Sequence, residues 1–190
     1  MIAPERYIQL GLPLDYFQIA QEISSLTTNT IPTVDIGTAY MDAKTSVEEF
    51  RIAMSKLAKG LKCSHVCRPG TGIKNPDRIL EKYSKSGVVP TDILGAKLIA
   101  PSLQQMYRLA RQIPRHFTIL QFKDRVIEPQ RTGYRDLQFV IQFKTMPVEL
   151  KICHQIFDEI DSVEHKVYEI TRSFQGITNI PIRQFHTKLC

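Results

Sequence analysis

The chain reads as an α/β (α+β) domain: a mixed sheet of about five strands flanked by helices. Segments of helical period alternate with short apolar runs of strand character, the pattern of a sheet with helices between its strands. A length of 190 residues at 43% hydrophobic content is enough to close a core without metal or disulfide staples. No apolar run approaches the roughly 18–20 residues of a membrane span. Met1-Ile2-Ala3-Pro4-Glu5-Arg6 lacks the apolar stretch of a signal peptide. The four cysteines are too few for a disulfide scaffold, and the Cys63–Cys67 spacing has no second ligand pair. They read as reduced thiols of a cytoplasmic protein, with Cys63, Cys67 and Cys153 buried and Cys190 on the tail.

In chain order, residues 1–60 form a helical segment. Tyr16–Ile23 carries apolar residues at helical spacing. Ser46 with Glu49 makes a capping-box pattern ahead of a helix over Val47–Lys59, and Gly60 is a natural stop. Thr27–Thr45, rich in Thr, Gly and Pro, reads as a loop. Residues 61–174 form the core. Leu61–Arg68 reads as a strand, Pro76–Tyr83 as a short helix and Ile93–Ala100 as a strand, followed by a helix from Ser102 to about Gln112. Phe117–Ile127 and Tyr134–Phe143 are two strands joined by a turn containing Pro129 and Gly133, and Val148–Cys153 is another. A last helix over Gln155–Ser173 places Ile156, Ile160, Val163, Val167 and Ile170 on one face. Residues 175–190, without a clear period, form a tail.

Charge is distributed unevenly. The total is +6, but Lys62–Arg135 holds fourteen Lys/Arg and five Asp/Glu, so the middle third is strongly basic and its flanks are mildly acidic. Such a segment suits an anionic ligand, nucleotide phosphates or nucleic acid, although a solvated basic face would have the same composition. No Walker phosphate loop or Rossmann glycine pattern occurs, and the five His form neither an H-E-x-x-H motif nor a Cys/His quartet. The informative carboxylates are Asp92, just before one strand, and Glu149, within another. Two carboxylates at strand positions in a basic protein can share a Mg²⁺ and bridge it to phosphates. For either residue alone, a cap or a surface ion pair is the commoner explanation.

The motifs themselves resemble a family. Ile73-Lys74-Asn75-Pro76-Asp77-Arg78-Ile79-Leu80-Glu81-Lys82 is similar to the first signature of RelA/SpoT-type alarmone synthetases, and Asp92-Ile93-Leu94-Gly95-Ala96-Lys97 to their D-x-x-G-x-R element. Lys123-Asp124, Pro129 and Thr132-Gly133-Tyr134-Arg135-Asp136-Leu137 resemble the K-D…P…N-G-Y-R-S-L-H loop. Val148-Glu149-Leu150-Lys151 resembles the E-x-Q strand, and Glu164-His165-Lys166-Val167-Tyr168-Glu169 the helix after it. Each element is weak alone, but together they occur in the family's order over more than half the chain.

The resemblance implies the nucleotidyltransferase-like fold of RelA/SpoT synthetases, in the single-domain small-synthetase form, with divergence towards the toxic branch. It implies a Mg²⁺-dependent pyrophosphokinase that moves the β,γ-pyrophosphate of ATP to the 3′-hydroxyl of a purine nucleotide and inhibits growth. The acceptor would be GDP/GTP or ADP/AMP/ATP, with the 3′ end of tRNA as an alternative. A second alternative is an inactive nucleotide or RNA sensor, and an antitoxin or immunity protein is an implied partner. By carry-over Asp92 and Glu149 are the catalytic and Mg²⁺-binding pair: Asp92 would hold Mg²⁺ against the ATP phosphates, and Glu149 would complete the metal site or accept the proton of the attacking hydroxyl. Arg68, Lys74, Lys82 and Lys97 bind ATP, while Lys123, Arg131, Tyr134, Arg135, His165 and Lys166 bind the acceptor. Tyr134 would be the stacking platform for the acceptor base. Read without the family, Lys123-Asp124 is an ordinary surface ion pair. The departures are Gly72 for the first Arg of an R-x-K pair, Arg78 for Ser, Lys97 for Arg, Gln138 for His and Lys151 for Gln. They surround phosphate and acceptor contacts.

Overall fold

In a computed structural model that describes residues 3–130 and 133–161, helix formation begins earlier than the sequence pattern suggests. A short helix α1 (Pro4–Gln9), absent from the sequence reading, precedes α2 (Leu14–Ser25), which covers the expected Tyr16–Ile23. The larger difference is α3, which runs over Ile36–Leu61 and so takes in most of the supposed loop. Its cap is Asp35, whose carboxylate accepts from the N–H groups of Gly37 (3.2 Å) and Thr38 (2.7 Å). Ser46 is no cap. It lies buried in mid-helix, one step of a stripe formed by Ala39, Ala43, Ser46, Phe50, Met54 and Leu57. The spacing is helical throughout, but its first half is carried by Ala and Ser, which a search for large apolar residues passes over. Gly60 does not end the helix; Lys62, in the left-handed conformation at φ 53°, does.

The core elements follow the expected order: β1 (Ser64–Cys67), α4 (Pro76–Ser86), β2 (Gly95–Ala100), α5 (Leu103–Ala110), a 3₁₀ turn at Ile113–Arg115, β3 (Ile119–Asp124), β4 (Leu137–Phe143) and β5 (Met146–His154). Backbone over 155–161 is again helical, and the rest of the expected last helix and the tail lie outside the described residues. The strands form one five-stranded sheet in the order β1-β2-β5-β4-β3. β2 and β5 are parallel neighbours at its centre, while the other three pairings are antiparallel. The expected mixed sheet with flanking helices is therefore what the chain forms.

Strand alternation divides the sheet into two unlike faces. Ala96, Leu98 and Ala100 of β2, Leu150 and Ile152 of β5, and Leu137, Phe139 and Ile141 of β4 are all buried. They share one apolar cluster with Ala20 and Ile23 of α2, Phe50 and Met54 of α3, and Met106, Tyr107 and Leu109 of α5. The N-terminal helices thus belong to the same core as the sheet. The opposite face carries Lys97, Glu149, Lys151 and Gln138, each half-buried. Cys153 is buried, whereas Cys63 and Cys67 are only partly so. No helix among the described residues is long and apolar enough to cross a membrane.

Alternation also corrects the Lys123-Asp124 reading, because neighbours on a strand face opposite ways. Lys123 is exposed opposite Gln138 on the polar face, while Asp124 is 2% exposed on the helix-covered side. There one carboxylate oxygen of Asp124 accepts from the hydroxyls of Tyr7 (2.6 Å) and Tyr107 (2.7 Å), and the other from the Val126 N–H (3.0 Å). Burial raises the Asp124 carboxyl, and these donors offset part of that rise. Tyr7 belongs to α1 and Tyr107 to α5, so one acid ties both helices to the end of β3. Replacing either tyrosine with Phe leaves a buried carboxylate short of a donor. Tyr7→Phe and Tyr107→Phe should each destabilise the fold by about 1–3 kcal/mol, read as a lower urea midpoint at unchanged m-value.

Candidate active site

The polar cluster begins where β2 begins. Asp92 sits three residues before Gly95, and one of its carboxylate oxygens takes both Lys74 Nζ (2.5 Å) and Lys82 Nζ (2.8 Å). Local structure fixes each partner. Lys74 is held beside the strand by its N–H donating to the Ile93 carbonyl at 2.9 Å. Asn75 then caps α4 by accepting from the Asp77 N–H at 2.8 Å, with Pro76 at the first helical position. Lys82, eight residues beyond Lys74, leans back from α4 onto the same acid. Arg68, just past β1, donates from a terminal guanidinium nitrogen to the Asp92 carbonyl at 3.1 Å. Its Nε is buried without a hydrogen-bond partner among the described residues. Burial would raise the Asp92 carboxyl, but the two lysines outweigh it and hold the group below the usual carboxylate range.

Glu149 comes to this cluster through the parallel pairing. It lies opposite Gly95, and its N–H donates to the Leu94 carbonyl at 3.4 Å. Its charge also helps raise the Lys82 ammonium, together with the Asp92 contacts that outweigh burial. Arg68, Lys74, Lys82, Asp92 and Glu149 are thus one assembly drawn from five separate segments of sequence. Lys97 stands apart from it, because its ammonium is 2.8 Å from Asp158 and 2.8 Å from Asp161. Burial would lower that ammonium, and the two acids instead raise it. Gly72, at the family's arginine position, has no room for a side chain: a Cβ there would lie 2.3 Å from Val47 Cγ2, and φ is 79°.

The other half of the polar face surrounds Glu149. One of its carboxylate oxygens lies 3.4 Å from Lys151 Nζ, and the other accepts from the Gln138 side-chain amide. The Gln138 carbonyl in turn accepts from Arg125, whose guanidinium is 3.5 Å from the carboxylate of Asp136. The Tyr134 ring lies under Lys151 Nζ, 5.5 Å from its centroid, with the hydroxyl 3.5 Å from Cys153 Sγ. Arg135 donates to the Val126 carbonyl and so braces its own loop. Arg131, His165 and Lys166 lie outside the described residues. Arg125 and Asp136 were not singled out from sequence. The alternation Asp136-Leu137-Gln138-Phe139 holds the signal for Asp136, since it puts Asp136 and Gln138 on the face that Glu149 shares.

No protein-family model matches the chain, and no curated protein matches it in sequence. Its structure, however, is similar to solved ones. Small alarmone synthetase 2 of Bacillus subtilis superposes with a TM-score of 0.60 at 17% identity, covering 80% of this chain and 89% of that one. A GTP pyrophosphokinase family protein of Streptococcus pneumoniae gives 0.60 at 17% identity, covering 80% and 84%. The Type VI effector Tas1, solved in complex with its immunity protein, gives 0.51 at 16% identity, covering 84% and 96%. The fold is that of the small alarmone synthetases.

Asp136 is fully buried, and neither oxygen has a hydrogen-bond partner among the described residues. Burial pushes its carboxyl up to about 6, against the pull of Arg125 and Lys151. An acid whose pKa is raised on folding stabilises the fold below its unfolded value near 4, and that contribution is lost as pH rises through about 6. Asp136→Asn should therefore flatten the pH dependence of stability between about pH 4 and 6.5. The slope removed corresponds to roughly 3 kcal/mol, read from urea denaturation across that range.

Proposed function

We propose that the chain is an ATP pyrophosphotransferase that moves the β,γ-pyrophosphate of ATP to the 3′-hydroxyl of a purine nucleotide and thereby slows growth. The observation that carries this reading is the cluster at the head of β2. Arg68, Lys74 and Lys82 converge on Asp92 beside Glu149, within the fold of small alarmone synthetases. Three cations on one short rim can receive a triphosphate, Lys74 and Lys82 in place of the carboxylate they now hold and Arg68 beside them. Arg68 also has a buried Nε, without a partner among the described residues, to offer a phosphate oxygen.

The donor set suits Mg²⁺. Asp92 and Glu149 supply hard oxygens, and among the described residues no third His, Cys, Asp or Glu joins them to close a protein cage. That is the site of an ion held by one or two carboxylates together with nucleotide phosphates. When bound there, the ion would neutralise charge developing on the transferred group. The chain's own residues do the rest. Arg68, Lys74 and Lys82 fix the phosphates, and the parallel strands hold the carboxylates beside them. Glu149 takes the proton of the attacking hydroxyl. The new bond forms from the 3′-oxygen to the β-phosphorus, the bond from that phosphorus to the α,β-bridging oxygen breaks, and AMP leaves. Tyr134 beside Lys151, with Lys123 exposed on the same polar face of the sheet, marks the acceptor side.

The test is transfer of label from γ-labelled ATP with Mg²⁺, offering GDP, GTP, ADP, AMP and deacylated tRNA separately. Label in a purine nucleotide is the expected result; label only in tRNA, or in no acceptor, overturns it. Glu149→Gln should lower kcat at least about 100-fold at an unchanged melting temperature. Near-normal turnover in that variant would remove Glu149 from the chemistry. Tyr134→Ala should raise the acceptor KM about 5- to 150-fold, the equivalent of about 1–3 kcal/mol of base stacking, while leaving the ATP KM within a few-fold.

A further inference from the structure

Glu149 is not a free carboxylate at the edge of a pocket. It is gripped from one side by a chain of contacts that starts at the fully buried Asp136. We propose that Gln138 is a positioning residue that sets the orientation of the Glu149 carboxylate, and that Asp136 and Arg125 act through it. This rests on the reading of Glu149 as the group that takes the proton.

The chemistry of the side chains gives the chain a direction. A guanidinium only donates hydrogen bonds, so the Gln138 atom facing Arg125 must be its carbonyl oxygen. The NH₂ group is then forced towards the carboxylate of Glu149, to which it donates. With Arg125 in place, the glutamine cannot flip without opposing NH₂ to guanidinium and carbonyl to carboxylate. Asp136 holds Arg125 in turn, at 3.5 Å, from a position with no solvent exposure. That explains a buried carboxylate with no hydrogen bond among the described residues: its counterion is Arg125, and what Arg125 orders is Gln138. The strand register supports the same assignment. Gln138 lies directly opposite Lys151 on β5, one alternation from Glu149, and Lys151 Nζ approaches the remaining Glu149 oxygen at 3.4 Å. Glu149 is thus held at both oxygens. Arg125 belongs to the loop between β3 and β4 that leads to Tyr134, so seating of the acceptor loop and aim of the carboxylate are mechanically linked.

The experiment compares Gln138→Leu, which keeps the volume and removes both polar ends, with Gln138→His, whose ring N–H can still donate. For Gln138→Leu, kcat should fall about ten- to hundredfold while both KM values stay within about threefold. Affinity for a non-hydrolysable ATP analogue with Mg²⁺ and the melting temperature should stay near wild type. Gln138→His should recover most of the lost kcat. Arg125→Leu should lower kcat in the wild-type background and add nothing further to Gln138→Leu. Undiminished kcat in Gln138→Leu, a loss confined to KM or melting temperature, or no recovery with His would each overturn the assignment while leaving the proposed function standing. No transfer by the unaltered protein to any nucleotide would overturn both.

Discussion

Everything at the candidate site depends on β2 and β5 lying parallel and adjacent at the centre of the sheet. Asp92 and Glu149 are 57 residues apart in sequence. They meet because the head of β2 lies beside the fourth residue of β5, with Gly95 opposite Glu149. Parallel neighbours need a long crossover, and here it contains α5, the 3₁₀ turn and the β3–β4 hairpin. The hairpin returns on the far side of β5, so β4 brings Gln138 and Asp136 to Glu149 as β2 brings Asp92. A slip of one residue in either pairing would turn these side chains to the apolar face and dismantle the site.

The two faces of the sheet handle charge in opposite ways. On the helix-covered face the acid buried among the described residues is Asp124, satisfied by two tyrosine hydroxyls and the Val126 N–H. Its work is structural, tying α1 and α5 to the strand end. On the polar face nearly every charge has an opposite within reach: Lys74 and Lys82 on Asp92, Lys97 on Asp158 and Asp161, Lys151 on Glu149, Arg125 on Asp136. Half-buried charges are costly unless paired, and here the protein's own acids supply most of the partners. Part of the basic excess of the middle third is therefore taken up by ion pairs within the protein, while Lys123 stays exposed. Around Asp92 two lysines share one carboxylate oxygen.

Much of the architecture was legible in the residues. The Asn75-Pro76 start of α4, the apolar run of β2, the strand around Glu149 and the helical period of α2 appear where local pattern puts them. Long-range order in the motifs carried the resemblance to alarmone synthetases, and the mixed sheet and the fold neighbours agree with it. Local pattern failed where the stripe was made of small residues: Ala39, Ala43 and Ser46 are buried with Phe50, but the two alanines look like loop composition and the serine like a cap. It failed again at Lys123-Asp124, where adjacency in sequence means opposite faces of a sheet.

By itself the sequence determined most of the core elements, their order and the residue types that reach the polar face, because helix period and strand alternation are properties of neighbours a few residues apart. It also determined which positions hold charge. Only the tertiary structure decided which charges meet. Lys74 and Lys82 share one oxygen of Asp92, Lys97 is engaged by Asp158 and Asp161, Gly72 is packed against Val47, and Asp136 reaches Glu149 through Arg125 and Gln138. Those outcomes follow from strand order and register. Both are set by how the whole apolar face closes against α2, α3 and α5, and no short segment of the chain carries that information.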